Sequence, residues 1–169
     1  LVFTWLLAGC ATNPVSGESD FVLMSEQQEI ALGQRYNSEI LKDMPAYEDG
    51  KLTAMVQSIG EELAAHSHRS GLDYRFTIVD SPNVNAFALP GGYIYITRGM
   101  LAYLNSEAEL AAVLGHEIGH VTARHSVRQH SAETTTNVIG TVVSVTTGIQ
   151  GVDELTGMVG TAIVRGYGR

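Results

Sequence analysis

Hydrophobic positions along this chain recur with a helical period in some stretches and a strand period in others. Leu52, Met55, Val56, Ile59 and Leu63 fall at i, i+3, i+4, i+7 and i+11, one stripe of a helix that follows Asp49-Gly50 and closes near "HSHRSG". Upstream, Ser25 with Gln28 makes a capping box, and the helix behind it is expected to run to about Lys42, ahead of Pro45. "YRFTIV" (74–79) alternates and is rich in β-formers, and "DSPNVN" reads as a turn. "AFAL", Pro90-Gly91-Gly92 and "YIYIT" then read as a hairpin, with Tyr93 and Tyr95 on one face and Ile94 and Ile96 on the other. Thr97 can cap a short helix through Leu104, and Ser106 with Glu109 supplies a second capping box before a last amphipathic helix. The expected fold class is α+β: mainly helical, with a small sheet or hairpin packed against that last helix.

Composition adds limits. At 169 residues, 44% hydrophobic and 17% charged, the chain can bury a core as one domain. A net charge of −8 with ten basic residues, none clustered, argues against nucleic acid as a partner. One cysteine excludes an internal disulfide. That cysteine ends "LVFTWLLAGC", an apolar run too short to span a bilayer. The run resembles the back half of a secretory signal closing in a bacterial lipobox, whose cysteine becomes the lipidated N-terminus. "NPVSG" follows as an exposed tether, and Ala11 in place of Asp resembles the outer-membrane sorting pattern. Residues 1–9 are thus expected to be a partial signal peptide and 10–24 a tether. Residues 25–169 are expected to form the folded domain, held through a lipid on Cys10 at the periplasmic face of an outer membrane.

The last helix carries "LGHEIGHVTARH" (114–125). At about 100° per residue, His116 and His120 lie within about 40° of one another. Leu110, Val113, Leu114, Ile118 and Val121 form the core stripe, and Glu117 falls inside it. A carboxylate on a buried face is costly without a partner. Gly115 and Gly119 each weaken a helix interior by about 1 kcal/mol relative to alanine, and they would let another segment approach closely. Stability alone selects none of these features; chemistry does. Two imidazoles at i and i+4 can share one Zn²⁺, and the Glu between them can take a proton from a water that the metal activates. His116 and His120 are therefore the candidate zinc ligands and Glu117 the candidate general base for peptide hydrolysis.

The third ligand defines the subclass. The metzincin pattern needs a Gly and a His where Ala123 and Ser126 stand, and His125 is one residue out of register. A gluzincin takes a Glu from a later helix, but Glu133, Asp153 and Glu154 sit in no convincing second motif.

"NAFALPGGYIYITRGML", "SEAELAAVLGHEIGHVTARH" and "NPVSGESDFVLMSEQQEIALG" together resemble the zinc metallopeptidase family that includes the CAAX prenyl endoprotease, most closely its soluble bacterial lipoprotein branch. The resemblance runs from Cys10 onward and is densest over 83–130. It implies a zincin-like fold of gluzincin type, zinc on His116 and His120, and Glu117 as general base. It also implies an edge strand at Asn85, Ala86, Phe87 and Ala88 that pairs with an extended substrate backbone. In the family a segment like "GYGR" (166–169) precedes the ligand Glu, with an Asp just after it. The third ligand is accordingly expected beyond Arg169, and weak zinc binding from residues 1–169 alone.

Other features read more plainly. His66 and His68 end a solvated helix. Residues 134–152 carry no charge but six threonines, so small-residue helices are expected there rather than a span. Arg124 and Arg128 either are solvated or steady acidic groups near the site. His125 and His130 read as surface or ligand-supporting residues. The leading functional expectation is a zinc endopeptidase acting on misfolded or unassembled envelope proteins; the alternative is an envelope lipoprotein with a chaperone-like or scaffold role.

Overall fold

The computed structural model describes residues 10–12, 17, 19–22 and 24–131. The expected signal remnant 1–9, the uncharged stretch 134–152, the acids Glu133, Asp153 and Glu154, and "GYGR" lie outside the described residues. The chain divides into two units, 1–127 and 128–169. Of the second, residues 128–131 are described and are helical.

In the first unit, β1 (Cys10–Thr12) pairs antiparallel with β2 (Ser19–Phe21), within the segment expected as a tether. Helix α1 (Glu26–Asp43) begins with the expected capping box. The Ser25 N–H donates to Gln28 Oε1 at 2.8 Å, and the Gln28 N–H donates to Ser25 Oγ at 3.3 Å. Helix α2 (Gly50–Ala65) is capped by Asp49, whose Oδ1 accepts from the Lys51 and Leu52 N–H groups, each at 3.0 Å.

Three strands follow: β3 (Arg75–Val79), β4 (Ala86–Leu89) and β5 (Tyr93–Thr97). Their order is β3-β5-β4, with β3 parallel and β4 antiparallel to the central β5. A single 3₁₀ turn, Pro90–Gly92, closes the β4–β5 hairpin, with Gly91 and Gly92 at φ 77° and 91°, where a side chain is strained. The expected division of β5 holds. Ile94 and Ile96 join the core shared with Leu52, Met55, Val56 and Ile59 of α2, while Tyr93 and Tyr95 pack with Ile40 and Leu41 of α1 and Met44 just after it. The sheet is therefore covered on both faces, and all five residues of β5 are buried. Helix α1 meets the hairpin turn so closely that a Cβ on Gly33 would run into the Pro90 carbonyl oxygen.

Thr97 caps α3 (Arg98–Tyr103), accepting from the Met100 N–H at 3.1 Å. Ser106 caps α4 (Glu107–Thr122), accepting from the Glu109 N–H at 3.2 Å. The second capping box differs from expectation in its return bond. Glu109 accepts from the N–H of Asn105, the residue before the cap, at 2.7 Å. Leu110, Leu114, Ile118 and Val121 are buried in the α2-facing core, and Val113 is partly buried against it. The protein is α+β, with α4 packed on the sheet.

Candidate active site

His116 and His120 occupy consecutive turns of α4, and their rings meet edge to face with centroids 4.6 Å apart. The two Nε2 atoms stand 3.0 Å apart. Two nitrogens bound at about 2.0–2.1 Å to one tetrahedral ion would sit about 3.3 Å apart, so the pair is set for a shared small cation. Burial, and then the neighbouring His116 and His125 rings, hold the His120 imidazole below its ordinary pKa. That favours the neutral ring, the form that ligates a metal. Among the described residues no group of three or more His, Cys, Asp or Glu is arranged to hold a metal.

Glu117 lies between them on the core-facing side, 8% exposed. Burial pushes its carboxyl above the usual carboxylate range, with the charge of His116 pulling the other way. The rest of its stripe is aliphatic, so packing gives no reason for an acid there.

β4 is an edge strand of its sheet. Asn85 is exposed just ahead of it, and Ala86, Phe87 and Ala88 are half-buried. Ala86 and Ala88 pack into the core that also holds α4. Phe87 turns to the opposite face, stacked on Tyr95 with centroids 4.8 Å apart. Its ring is therefore structural, and the Asn85 backbone is taken up by β5: its N–H donates to Thr97 Oγ1 at 3.1 Å and its carbonyl accepts from the Thr97 N–H at 3.0 Å. His66 and His68 are exposed, as expected of a solvated helix end. Gly115 and Gly119 were expected to admit a close neighbour; no described atom lies within 4 Å of a Cβ placed at either.

Behind the histidines sits a charged cluster that sequence reasoning missed. Glu29 of α1 is 1% exposed. Its carboxylate accepts from Arg69 Nη1 at 2.8 Å, from Arg124 Nε at 2.9 Å and from the Gly91 N–H at 3.3 Å. Arg69 also donates to the Val121 carbonyl at 3.2 Å, so α1, the loop after α2, the hairpin turn and the end of α4 meet at one carboxylate. Of the two readings of Arg124, the structure selects the one in which it steadies an acid. Glu29 looks like an ordinary acid in the first turn of α1. The signal that would have found it is its spacing to Leu32 and Gly33, at i+3 and i+4, with which it shares the buried side.

Residues 51–165 match the model of Peptidase family M48. The chain belongs to that family. This bears out, at the level of the family, the resemblance read from the motif and hairpin. Among M48 relatives, the beta-barrel assembly-enhancing protease of Yersinia pestis is 35% identical over 115 residues, covering 68% of this chain and 24% of that protein. Its namesake in Escherichia coli (strain K12) is 32% identical over 117 residues, covering 69% and 24%. The mitochondrial metalloendopeptidase OMA1 of Arabidopsis thaliana is 48% identical over 62 residues, covering 37% and 13%. The chain spans about a quarter of the length of the bacterial relatives it matches.

Proposed function

We propose that the protein is a zinc-dependent endopeptidase. One observation carries the reading: two imidazole nitrogens 3.0 Å apart on one helical turn, with a buried carboxylate between their positions in sequence. His116 and His120 would hold the ion through Nε2. Bound there, zinc would supply Lewis acidity, lowering the pKa of water and polarising a peptide carbonyl. Glu117 takes the proton from the attacking water and delivers it to the departing amide nitrogen, so that the amine leaves neutral. The backbone of β4, within the expected segment Asn85 to Ala88, holds the substrate as an added strand, a reading that its place at the edge of the described sheet supports.

The substrates we infer are misfolded or unassembled proteins of the bacterial envelope. The relatives named for β-barrel assembly support this, as does the lipobox-like "LAGC", which would tether Cys10 to the outer membrane through lipid. The test is casein hydrolysis by the full-length protein, with and without a metal chelator, beside Glu117→Gln. Chelator-sensitive cleavage that falls at least about 100-fold in the variant is expected. A variant as fast as wild type would remove the general-base assignment, and no chelator-sensitive cleavage by the wild type would leave the scaffold role. Retention of a Cys10→Ser variant in the membrane fraction would remove the anchor.

A further inference from the structure

Helix α4 ends in a turn that brings the chain back to its own last histidine. The Ala123 N–H closes the helix on the Gly119 carbonyl at 2.9 Å, and Arg124 follows at φ 54°. Among the described residues it is the one non-glycine residue with positive φ. Such a conformation costs about 1–2 kcal/mol without glycine, so something must hold it. Here the guanidinium does. Nε donates to the buried Glu29 carboxylate at 2.9 Å, and Nη2 to the Met24 carbonyl at 3.2 Å.

The consequence falls on His125. On an unbroken helix a residue five positions after His120 would lie about 140° round the axis from it. The turn at Arg124 cancels that offset. His125 Nδ1 comes to 2.7 Å from His120 Nδ1, with ring centroids 4.9 Å apart at 68°.

We propose that His125 is a positioning residue: the acceptor that fixes the tautomer and ring plane of the metal ligand His120, held in place by the Glu29-anchored turn at Arg124. This rests on the reading of His120 as a ligand. Its Nε2 faces His116 and needs a lone pair to ligate, so its proton must sit on Nδ1. That N–H points at His125 Nδ1, which accepts when its own proton is on Nε2. A ligating histidine ordinarily donates its second N–H to a carboxylate, a carbonyl or water; here a second imidazole takes that place.

The test measures zinc affinity of the full-length protein by competition with a chromophoric chelator, with the visible spectrum of the Co²⁺-substituted form as a second readout. His125→Leu, which cannot accept, should bind zinc roughly 10- to 100-fold more weakly and shift the Co²⁺ bands. His125→Asn, whose Oδ1 falls near the Nδ1 position, should restore most of both. His125→Ala is read in the same way should leucine disturb folding, and a thermal melt accompanies each variant. Wild-type affinity in the non-accepting variants, or no recovery with asparagine, overturns the proposal. His116→Ala separates the two levels. If it leaves affinity unchanged, the ligand reading itself fails; if it abolishes binding while His125→Leu does not, only the positioning role fails.

Discussion

Glu29, in the first turn of α1, accepts a 2.9 Å hydrogen bond from Nε of Arg124, 95 positions later and just past the end of α4. Arg69 and Arg124 are themselves mostly buried, with side chains 8% and 12% exposed. Replacing Glu29 by Gln would leave Arg124 short of its counter-charge in a poorly solvated place, and Arg69 paired with the exposed Glu26. The expected loss is about 3–5 kcal/mol, measured by urea unfolding. Lys42→Ala, which removes a pair whose side chains are 67% and 69% exposed, should change stability by less than about 1 kcal/mol. Equal effects would show that burial does not govern these pairs.

Gly33 is the narrowest contact between α1 and the hairpin. Its alanine variant should lose about 2 kcal/mol, because the Pro90 carbonyl in the way is backbone and cannot swing aside. Gly50→Ala, with no described atom within 4 Å of the new methyl, should cost nothing measurable. Thermal melts of the two compare them directly.

Tyr95 provides an alkaline signature. Its hydroxyl donates to Asn37 Oδ1 at 2.6 Å, and burial, with Tyr93 nearby, pushes its pKa up from 10.0 to about 12. Below pH 10 the phenol is neutral whether the chain is folded or not, so this part of the stability is fully present. Between pH 10 and 12 the unfolded chain ionises first, and stability falls as pH rises. Tyr95→Phe should lose about 1 kcal/mol at neutral pH for the missing hydrogen bond. Its stability should then fall less steeply above pH 10, by up to about 1.4 kcal/mol per pH unit. Parallel slopes for the two proteins would contradict this.

Glu117 should show stability and activity moving in opposite directions. With metal removed, Glu117→Gln is expected to be more stable than wild type by about 1 kcal/mol, since burial disfavours the charged form of the carboxyl. The same change is expected to abolish peptide hydrolysis. Calorimetry in chelator checks the first half; a variant less stable than wild type would mean that the carboxylate has a structural partner.

Much of the fold was legible because its signals are local. Capping residues at Ser25, Asp49, Thr97 and Ser106 act within one turn of the chain, and the Tyr/Ile alternation of β5 assigns its faces by geometry alone. The adjacency of His116 and His120 was legible for the same reason, since i and i+4 stack on a helix. Pairing of β3 with β5 was not, because a parallel partner joins segments with no short-range mark. Nor was the environment of Glu29, an acid whose neighbours come from residues 69, 91 and 124.

His125 marks the boundary between the two kinds of information. Counting residues put it one position out of the metzincin ligand register, because spacing along a helix is fixed by 3.6 residues per turn. Only the folded chain, through a left-handed Arg124 held by a distant carboxylate, returned that ring to His120. Sequence alone therefore determined the helix, the metal-ligand candidates and the buried acid, all set by backbone periodicity. Tertiary packing decided which charges met in the interior and how the ligand ring is braced, because those contacts join residues far apart in the chain.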